Sequence, residues 1–297
     1  MRRRHSALQR GVRRPPFVTA DARVSHIMQL RVGDSISGVL DLTRDGMSAR
    51  LAGDIFPIHS EIPVENTCSI VGVGYASELN LSEEGPILSI SANDVVIENV
   101  RFVFSGSHTT TSTTTRPVRC SGETYSPETL TTLLLSAAIK ITGDNVTVRN
   151  CWFDGFDNAI VSSGSNTTVD SCHFKGKYNS TRSAVFLTGT YGNITRCHIE
   201  STAYGAYVTG DKSSVSDNTI LAHETAIFVT SDYNRIHGNQ CEGHSDGFAI
   251  ALTADAKYNS VTGNVIPPDS SKGTYYFISP ATSKNQYAAN IGEVDLE

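Results

Sequence analysis

The chain has 297 residues, of which 18% are charged, and a formal net charge of −6 at pH 7. That length allows one large core or two ordinary ones, and no apolar run approaches the ~20 residues of a membrane span. Gly, Ser, Thr and Asn are frequent, whereas long stretches rich in Leu, Ala, Glu and Lys are missing. This composition excludes a mainly helical protein and predicts an all-β chain with many turns.

Residues 1–20 are strongly basic. They contain six arginines and no acid, so they carry +6, and the rest of the chain carries −12, the difference between −6 and +6. The segment lacks the apolar stretch of a secretory signal. A solvated tail is the usual interpretation of such a segment, and a transit peptide is another. We expect an extended arm that binds a partner surface. Its contact residues are predicted to be Arg2, Arg3, Arg4, Arg10, Arg13 and Arg14.

Residues 21–53 precede the first clear repeat. They include the run "VGDSISGVLDL". We expect this segment to be a lead-in that caps the open end of the following domain, because an uncovered strand edge invites aggregation.

A short motif then recurs from residue 54 to residue 297. Each copy starts at a β-branched anchor residue and fits [I/V]-x-[N/S/D/G]-[V/C/N]-x-[F/I/C], with a looser last copy. Successive anchors are 27, 51, 21, 25, 21, 21, 25 and 26 residues apart. The anchors are Ile70, Ile97, Val148, Val169, Ile194, Val215, Ile236, Val261 and Tyr287.

A second short strand precedes most anchors, as in "AIKITG", "VFLTGT" and "IFVTSD". Strands separated by Gly, Asn, Asp and Ser predict a strand–turn–strand coil of about 21 residues. One coil cannot bury its apolar side alone, but stacked coils give each strand a parallel neighbour at about 4.8 Å. The sequence therefore predicts a single-stranded, right-handed parallel β-helix of about nine coils, on the order of 40 Å long.

The 51-residue interval between Ile97 and Val148 contains an insertion. Residues 105–136 form this Thr-rich loop, which includes "SHTTTSTTTRP". Loops between coils commonly carry function, and a polar surface flap is the alternative.

The fourth motif position predicts an internal ladder of like residues. The small thiols are expected to fill a narrow corner as buried hydrophobic groups, and the asparagines to pass hydrogen bonds from coil to coil. In chain order this position holds Val73, Val100, Cys151, Cys172, Cys197, Asn218, Asn239, Asn264 and Asn290. Cys241 occupies the sixth position, which also points inward.

No metal or other cofactor is predicted. The cysteines lack the CxxC spacing of zinc sites, and stacking places them in a line rather than around a tetrahedron. We expect them to be reduced, which fits folding in the host cytoplasm.

The fifth motif position points outward and forms a stripe. It contains the single tryptophan, Trp152, followed by His173 and His198. Trp152 is expected either to stack on a sugar ring or, the favoured interpretation, to be covered by a neighbouring subunit. The two histidines are expected to be a packed or solvated pair, with metal binding or acid–base chemistry as the alternative.

The runs "SIVGVG" at 69–74 and "DVVIENVRF" at 94–102 resemble the pectate-lyase-like β-helix superfamily. The resemblance covers roughly residues 54–292 and is specific for the fold. This superfamily includes polysaccharide lyases, glycosidases and bacteriophage spikes, so the fold alone does not assign a function.

The resemblance implies possible sugar chemistry, but the acid motifs of those enzymes are missing. There is no Asp-Asp pair and no NTD sequence. Asp94, Asp144, Asp211, Asp232 and Asp255 all follow the first strand of a coil, where an Asx turn needs a short side chain. A carboxylate pair would need two acids on one face. The weak candidates are Asp170 with Glu200, and Asp217 with Glu242.

Three functions remain open. The first is a structural virion protein of a bacteriophage, a homotrimeric spike or decoration on the capsid or tail, anchored to other virion proteins through residues 1–20. The second is a polysaccharide lyase or glycoside hydrolase of the tailspike kind. The third is a non-catalytic module that binds a host surface glycan. The sequence favours the first, a virion location and no catalysis.

Overall fold

The computed structural model describes residues 27–31, 34, 36, 46–83, 85–106, 137–176, 183–243, 248–253, 255–266, 276–279, 284–291 and 293–296. The predicted basic arm, most of the predicted cap and residues 107–136 of the Thr-rich loop lie outside these ranges.

Short β-strands make up nearly all of the regular structure. In chain order they are β1 (Ile27–Leu30), β2 (Met47–Leu51), β3 (Ile55–Ile58), β4 (Ile62–Val64), β5 (Cys68–Val71), β6 (Glu78–Leu81), β7 (Leu88–Ile90), β8 (Val96–Glu98), β9 (Arg101–Phe104), β10 (Ala137–Ile141), β11 (Thr147–Arg149), β12 (Trp152–Asp154), β13 (Asn158–Ser162), β14 (Thr168–Asp170), β15 (His173–Lys175), β16 (Ser183–Leu187), β17 (Asn193–Thr195), β18 (His198–Val208), β19 (Ser214–Ser216), β20 (Thr219–Val229), β21 (Arg235–His237), β22 (Gln240–Gly243), β23 (Phe248–Leu252), β24 (Ser260–Thr262), β25 (Tyr276–Ser279), β26 (Gln286–Ala288) and β27 (Glu293–Leu296).

Sheet A contains one strand from each coil. Its eleven strands are all parallel to their neighbours and follow the order β1-β2-β5-β8-β11-β14-β17-β19-β21-β24-β26. All nine predicted anchors lie in this sheet in matching register; Val148 pairs with Val169, and Val169 with Ile194. Strands β1 and β2 continue the sheet at its N-terminal end, inside the segment that the sequence predicts as a cap.

Two further rows of strands complete each coil. Sheet B contains β3, β6, β9, β12, β15 and β22, and sheet C contains β4, β7, β10, β13, β16, β23, β25 and β27. The long strands β18 and β20 bend around the corner and belong to both rows, because their first halves pair along sheet B and their second halves along sheet C.

Each coil therefore has three strands rather than the two that the sequence predicts. The third motif position explains the difference. Asn99, Asn150, Ser171 and Asp217 adopt left-handed φ angles of 56°, 51°, 53° and 55° there. A left-handed residue turns the chain sharply, so the motif spans the end of one strand and the start of the next.

The interior is a single apolar core built from stacked like residues. Phe102, Phe153 and Phe174 stack with ring centroids 4.9 Å apart and nearly parallel planes. The anchors Ile97, Val148 and Val169 are completely buried. The predicted all-β parallel coil architecture is thus confirmed. In the described part of the chain, no helix is long and apolar enough to cross a lipid bilayer.

Candidate functional site

The thiols of the predicted ladder are buried inside the coil. Cys151, Cys172 and Cys197 each contact a backbone carbonyl two residues earlier, at sulfur–oxygen distances of 3.2, 3.3 and 3.3 Å. Burial and the two neighbouring thiols raise the pKa of Cys172 well above its ordinary value, and burial raises that of Cys241. A thiol that stays protonated is a poor nucleophile, so Cys172 and Cys241 act as packing groups.

The asparagines continue the same line of contacts with hydrogen bonds. The Asn218 backbone N–H and Nδ2 both donate to Asn239 Oδ1, at 3.1 and 2.9 Å. Asn239 and Asn264 repeat this arrangement toward Asn264 and Asn290. A hydrogen bond also joins the cysteine part of the ladder to the asparagine part, because the Cys197 N–H donates to Asn218 Oδ1 at 2.8 Å.

Val73 departs from the motif. Its side chain is 58% exposed, and Ser77 occupies the interior position instead. The chain makes an extra 3-10 turn at Gly74–Ala76, which moves Val73 outward. The Ser77 carbonyl then accepts the Arg101 N–H, as the Val100 carbonyl accepts the Trp152 N–H one coil later.

The outer face of sheet B carries the predicted stripe. Register pairing aligns Arg101 with Trp152, Trp152 with His173, and His173 with His198. A second outward column runs beside it, two residues further along each strand. That column contains Asn80, Val103, Asp154, Lys175, Glu200, Leu221 and Glu242.

An aromatic pair forms one wall of a groove on this face. The Tyr75 ring lies 4.5 Å from the Trp152 ring at an angle of 44°, and Tyr75 is 57% exposed. The groove has a volume of about 260 Å³, and its polar walls come from Arg101, Asp154, His173, Lys175 and Glu200. An aromatic wall opposite hydrogen-bonding groups suits a ligand with one apolar and one polar side.

Arg101 forms two ion pairs in the groove. Arg101 bridges Glu78 at 2.9 Å and Asp154 at 3.2 Å, and its guanidinium carbon lies 5.4 Å from the centre of the Tyr75 ring. These three contacts hold the guanidinium and Asp154 in fixed positions on the groove wall.

Two histidines share one carboxylate beside this pair. The His173 and His198 rings stack at 4.9 Å, and their Nε2 atoms lie 3.9 and 3.7 Å from the two oxygens of Glu200. Partial burial, followed by the adjacent His198, lowers the pKa of His173. His173 is therefore neutral near pH 7 and can accept or donate a hydrogen bond. Among the described residues, no three His, Cys, Asp or Glu side chains are placed to hold a metal ion.

The predicted acid pairs are not brought together. Asp170 lies in sheet A, where it pairs with Arg196 at 2.6 Å, whereas Glu200 lies in sheet B. Asp217 lies in the turn between these sheets, with a left-handed φ of 55°, and Glu242 pairs with Leu221 on sheet B. The members of each pair stand on different parts of the coil, so neither pair can act on one ligand. The six predicted arm arginines lie outside the described residues.

Sequence reasoning missed several groove residues. Asp154 and Lys175 carry a signal, because they stand two places after the predicted stripe and therefore also point outward. The sequence gives no such signal for Tyr75, because Tyr75 lies in the extra turn at Gly74–Ala76, where the motif is interrupted.

Comparison with solved structures shows the same fold in phage proteins and in an enzyme. The tailspike of Acinetobacter phage vB_ApiP_P1 has a TM-score of 0.59 and 13% identity, covering 84% of this chain and 48% of that one. Pectate lyase Pel9A has a TM-score of 0.56 and 10% identity, covering 92% and 78%. A mutant tailspike of E. coli bacteriophage HK620, solved with a hexasaccharide, has a TM-score of 0.54 and 12% identity, covering 89% and 54%.

The chain thus spans about half of the length of these two tailspikes. No curated protein matches the chain significantly. These structures confirm the β-helix fold that the resemblance to pectate-lyase-like proteins implies. A profile of the family described as "Right handed beta helix region" matches residues 137–287, just over half of the chain. The chain therefore belongs to the right-handed β-helix family.

Proposed function

We propose that the chain is a tailspike-like component of a bacteriophage virion and that it binds a host surface glycan on the outer face of sheet B. The observation that carries this proposal is the groove beside the Tyr75–Trp152 pair, whose rings are 4.5 Å apart. The fold shared with two phage tailspikes, one of them solved with a hexasaccharide, supports the same interpretation.

The groove has the chemistry that sugar recognition needs. Sugar rings have an apolar face that packs on aromatic rings, and hydroxyl groups that bond to charged and polar side chains. Here Trp152 lies between Arg101 and His173 in its column, and Asp154 and Lys175 stand beside them. The volume of about 260 Å³ is close to the lower limit of ligand pockets, roughly 300 Å³. It suits one or two sugar units of a longer chain.

The test is binding of purified bacterial capsular and O-antigen polysaccharides to Trp152→Ala. We expect the variant to lose at least ~1 kcal/mol, or about fivefold, of affinity for the glycan that the wild type binds. Ile291→Ala is the matched control, because Ile291 is 63% exposed and continues the Gln240 column at the far end of the same face. Unchanged affinity of Trp152→Ala would contradict the proposal. So would loss of self-association in this variant, which would indicate that a second subunit covers the tryptophan.

A second candidate function is hydrolysis of the bound glycan. Asp154 and Glu200 stand in the same column with Lys175 between them, so two coil steps of about 4.8 Å separate their backbones. Inverting glycosidases hold their carboxyl groups ~6.5–9.5 Å apart, and two steps come close to that range. If the protein releases reducing ends, Asp154→Asn and Glu200→Gln should each stop the release without abolishing binding. Release that continues in both variants would exclude this pair.

The basic arm and the oligomer complete the proposed role. Six arginines in residues 1–20 supply planar donors that pair bidentately with carboxylates. We propose that this arm attaches the protein to other virion proteins and that the protein is a homotrimer. The acidic remainder of the chain, at −12, supplies little affinity for nucleic acid.

A further inference from the structure

A second exposed surface runs along the turn that precedes sheet A. The residues three places before each anchor lie one above another, as the pairing Asn193–Ser214–Arg235–Ser260–Gln286 in sheet A requires. In the first coils they are Asp94, Asn145 and Asn166. In the last five coils they are Tyr191, Lys212, Tyr233, Tyr258 and Lys284, which we call the tyrosine–lysine strip.

The backbone of the strip is unfavourable for its side chains. Tyr191, Lys212, Tyr233 and Tyr258 adopt left-handed φ angles of 60°, 58°, 60° and 60°. Asn, Asp and Gly accept this conformation most readily, and a bulky residue there is an outlier that points to a role beyond folding. The first coils use Asp and Asn at the same place, which shows that the turn itself does not require tyrosine or lysine.

The side chains of the strip form an ordered stack. The Tyr233 and Tyr258 rings are parallel within 7° at 5.0 Å. Lys212 Nζ lies 5.3 Å from the centre of the Tyr191 ring and donates to its hydroxyl at 3.3 Å, and Lys284 Nζ lies 5.3 Å from the centre of the Tyr258 ring. The three tyrosines are 53%, 53% and 43% exposed. Each ring thus has a neighbour over at least one face, and the strip presents ring edges, hydroxyl groups and ammonium groups to solvent.

The strip is also locally cationic on an acidic molecule. Arg235 and Lys257 are exposed beside Lys212 and Lys284. Three acids accompany these four cations. Asp211 and Asp232 each use one oxygen to accept a backbone N–H from the next coil, at 2.9 and 2.7 Å, and Asp255 is exposed. Aromatic ring edges carry the positive end of the ring quadrupole, so edges, hydroxyls and cations all favour a negatively charged ligand.

We propose that the tyrosine–lysine strip binds a linear anionic polysaccharide. Five coils give the strip four steps of about 4.8 Å, or about 19 Å, which suits an extended chain better than a small molecule. Single-stranded nucleic acid fits less well, because its bases bind by stacking on open aromatic faces, and the Tyr233–Tyr258 stack takes up one face of each of these two rings. The strip lies on a different edge of the coil from the Trp152 groove.

Lysine footprinting on the full chain tests the site directly. Acetylation rates are measured by mass spectrometry with dextran sulfate, polygalacturonate, neutral dextran or oligo-dT. We expect the two anionic polysaccharides to slow acetylation of Lys212 and Lys284 and to leave acetylation of Lys140, on the outer face of sheet C, unchanged. Equal protection of Lys140, protection by neutral dextran, or no protection at Lys212 and Lys284 would overturn the proposal. Stronger protection by oligo-dT than by the polysaccharides would assign the strip to nucleic acid instead.

Affinity measurements separate the strip from both the basic arm and the groove. In Lys212→Gln/Lys284→Gln, the slope of log affinity against log salt should fall by roughly 0.7 per lysine, the value for flexible phosphate polymers. Lys140→Gln, on the outer face of sheet C, is the matched control and should leave the slope unchanged, while the arm contributes equally to every variant. Tyr233→Phe/Tyr258→Phe keeps the stack and removes two hydroxyls, so its affinity should fall while its melting temperature stays constant. A double lysine variant with the wild-type slope would overturn the proposal whatever the result for Trp152→Ala.

Discussion

Asn239 uses every hydrogen-bonding group of its completely buried side chain. Its Oδ1 accepts twice from Asn218, and its Nδ2 donates to Val215 O and Asn264 Oδ1, both at 2.9 Å. A buried amide is costly only when its partners are missing. The ladder removes that cost by giving each asparagine the next one as a partner.

Truncating the Asn239 side chain should therefore destabilise the folded protein strongly. Asn239→Ala strands donors and acceptors on the two neighbouring coils, so we expect a loss of at least about 3 kcal/mol in the free energy of unfolding. Asn193→Ala, on the outer face of sheet A, should change stability by less than about 0.5 kcal/mol. Urea titration followed by circular dichroism measures both. Equal midpoints for the two variants would show that the ladder adds no stability.

His173 gives a pH-dependent prediction. Its pKa is lowered in the folded protein by burial and by His198, so the unfolded chain binds the proton more tightly. Stability should then be fully present above the unfolded pKa, about 6.5, and fall as the pH drops from there toward the lower folded value. In His173→Asn this fall should be smaller. Melting temperatures between pH 7.5 and 5 compare the two proteins, and identical slopes would contradict the assignment.

At this scale the sequence predicts side chains that follow the motif and misses those outside it. Cys151 and Asn239 stand at the fourth motif position and were predictable from spacing alone. A second buried asparagine ladder, Asn234, Asn259 and Asn285, was not predicted, although each donates or accepts from coil to coil in the same way. These residues stand two places before the anchors, whereas the motif begins at each anchor and covers only the residues after it.

The turn between sheets C and A is the element that most restricts sequence. A Cβ atom on Gly164 would lie 1.9 Å from the carbonyl oxygen of Gly143, and one on Gly189 would lie 2.1 Å from that of Gly164. Stacked coils approach so closely here that only a hydrogen fits. Tight contact between turns, rather than unusual φ angles, explains this glycine column.

Gly164→Ala should therefore lower stability by about 2 kcal/mol or more through overpacking. Gly263→Ala is the control for backbone strain alone, since its φ is +65° with no atom within 4 Å of the added carbon. Ala289 adopts φ 54° at the same motif position one coil later. We expect the control to lose about 1 kcal/mol or less. Equal losses in thermal unfolding would show that crowding at Gly164 has no effect.

Strand number was the main error at the scale of elements. The period of about 21 residues predicted the coil, but it could not reveal that β18 and β20 each join two rows of strands. That continuity depends on the corner between sheets B and C. Gly205 lies there, where a Cβ atom would meet the Ala226 carbonyl oxygen at 2.6 Å. The need for glycine at this corner follows from the packing of adjacent coils, which the sequence period does not describe.

The whole molecule is predicted to be attached through its arm. Deleting residues 1–20 should prevent incorporation into virions and leave the melting temperature of the β-helix unchanged, because the arm has too little apolar content to form a core. Replacing the six arginines by lysine keeps the charge and removes the planar fork, so partial incorporation is expected. Normal incorporation of the truncated protein would show that the arm has no anchoring role.

Family and fold were largely readable from the sequence because nine copies of one motif must stack in one way. Only some of the groove residues could be predicted from the sequence. Trp152 follows the motif, whereas Tyr75 reaches it through a local insertion at Gly74–Ala76. Local irregularities are placed by contacts with neighbouring coils, and a periodic pattern contains no information about them.

Because the register of sheet A is unbroken, equivalent residues of successive coils are evenly spaced along the axis of the molecule. Every side chain is displaced along the axis from its counterparts by whole steps of about 4.8 Å, and five coils separate Trp152 from Tyr258. Each coil contacts only its neighbours. Excising the coil that contains Lys212 would therefore bring Trp152 and Tyr258 closer by one step of about 4.8 Å and shorten the strip by one coil, while the residues that line the groove stay in place. The number of coils thus sets the distance between two bound glycan segments.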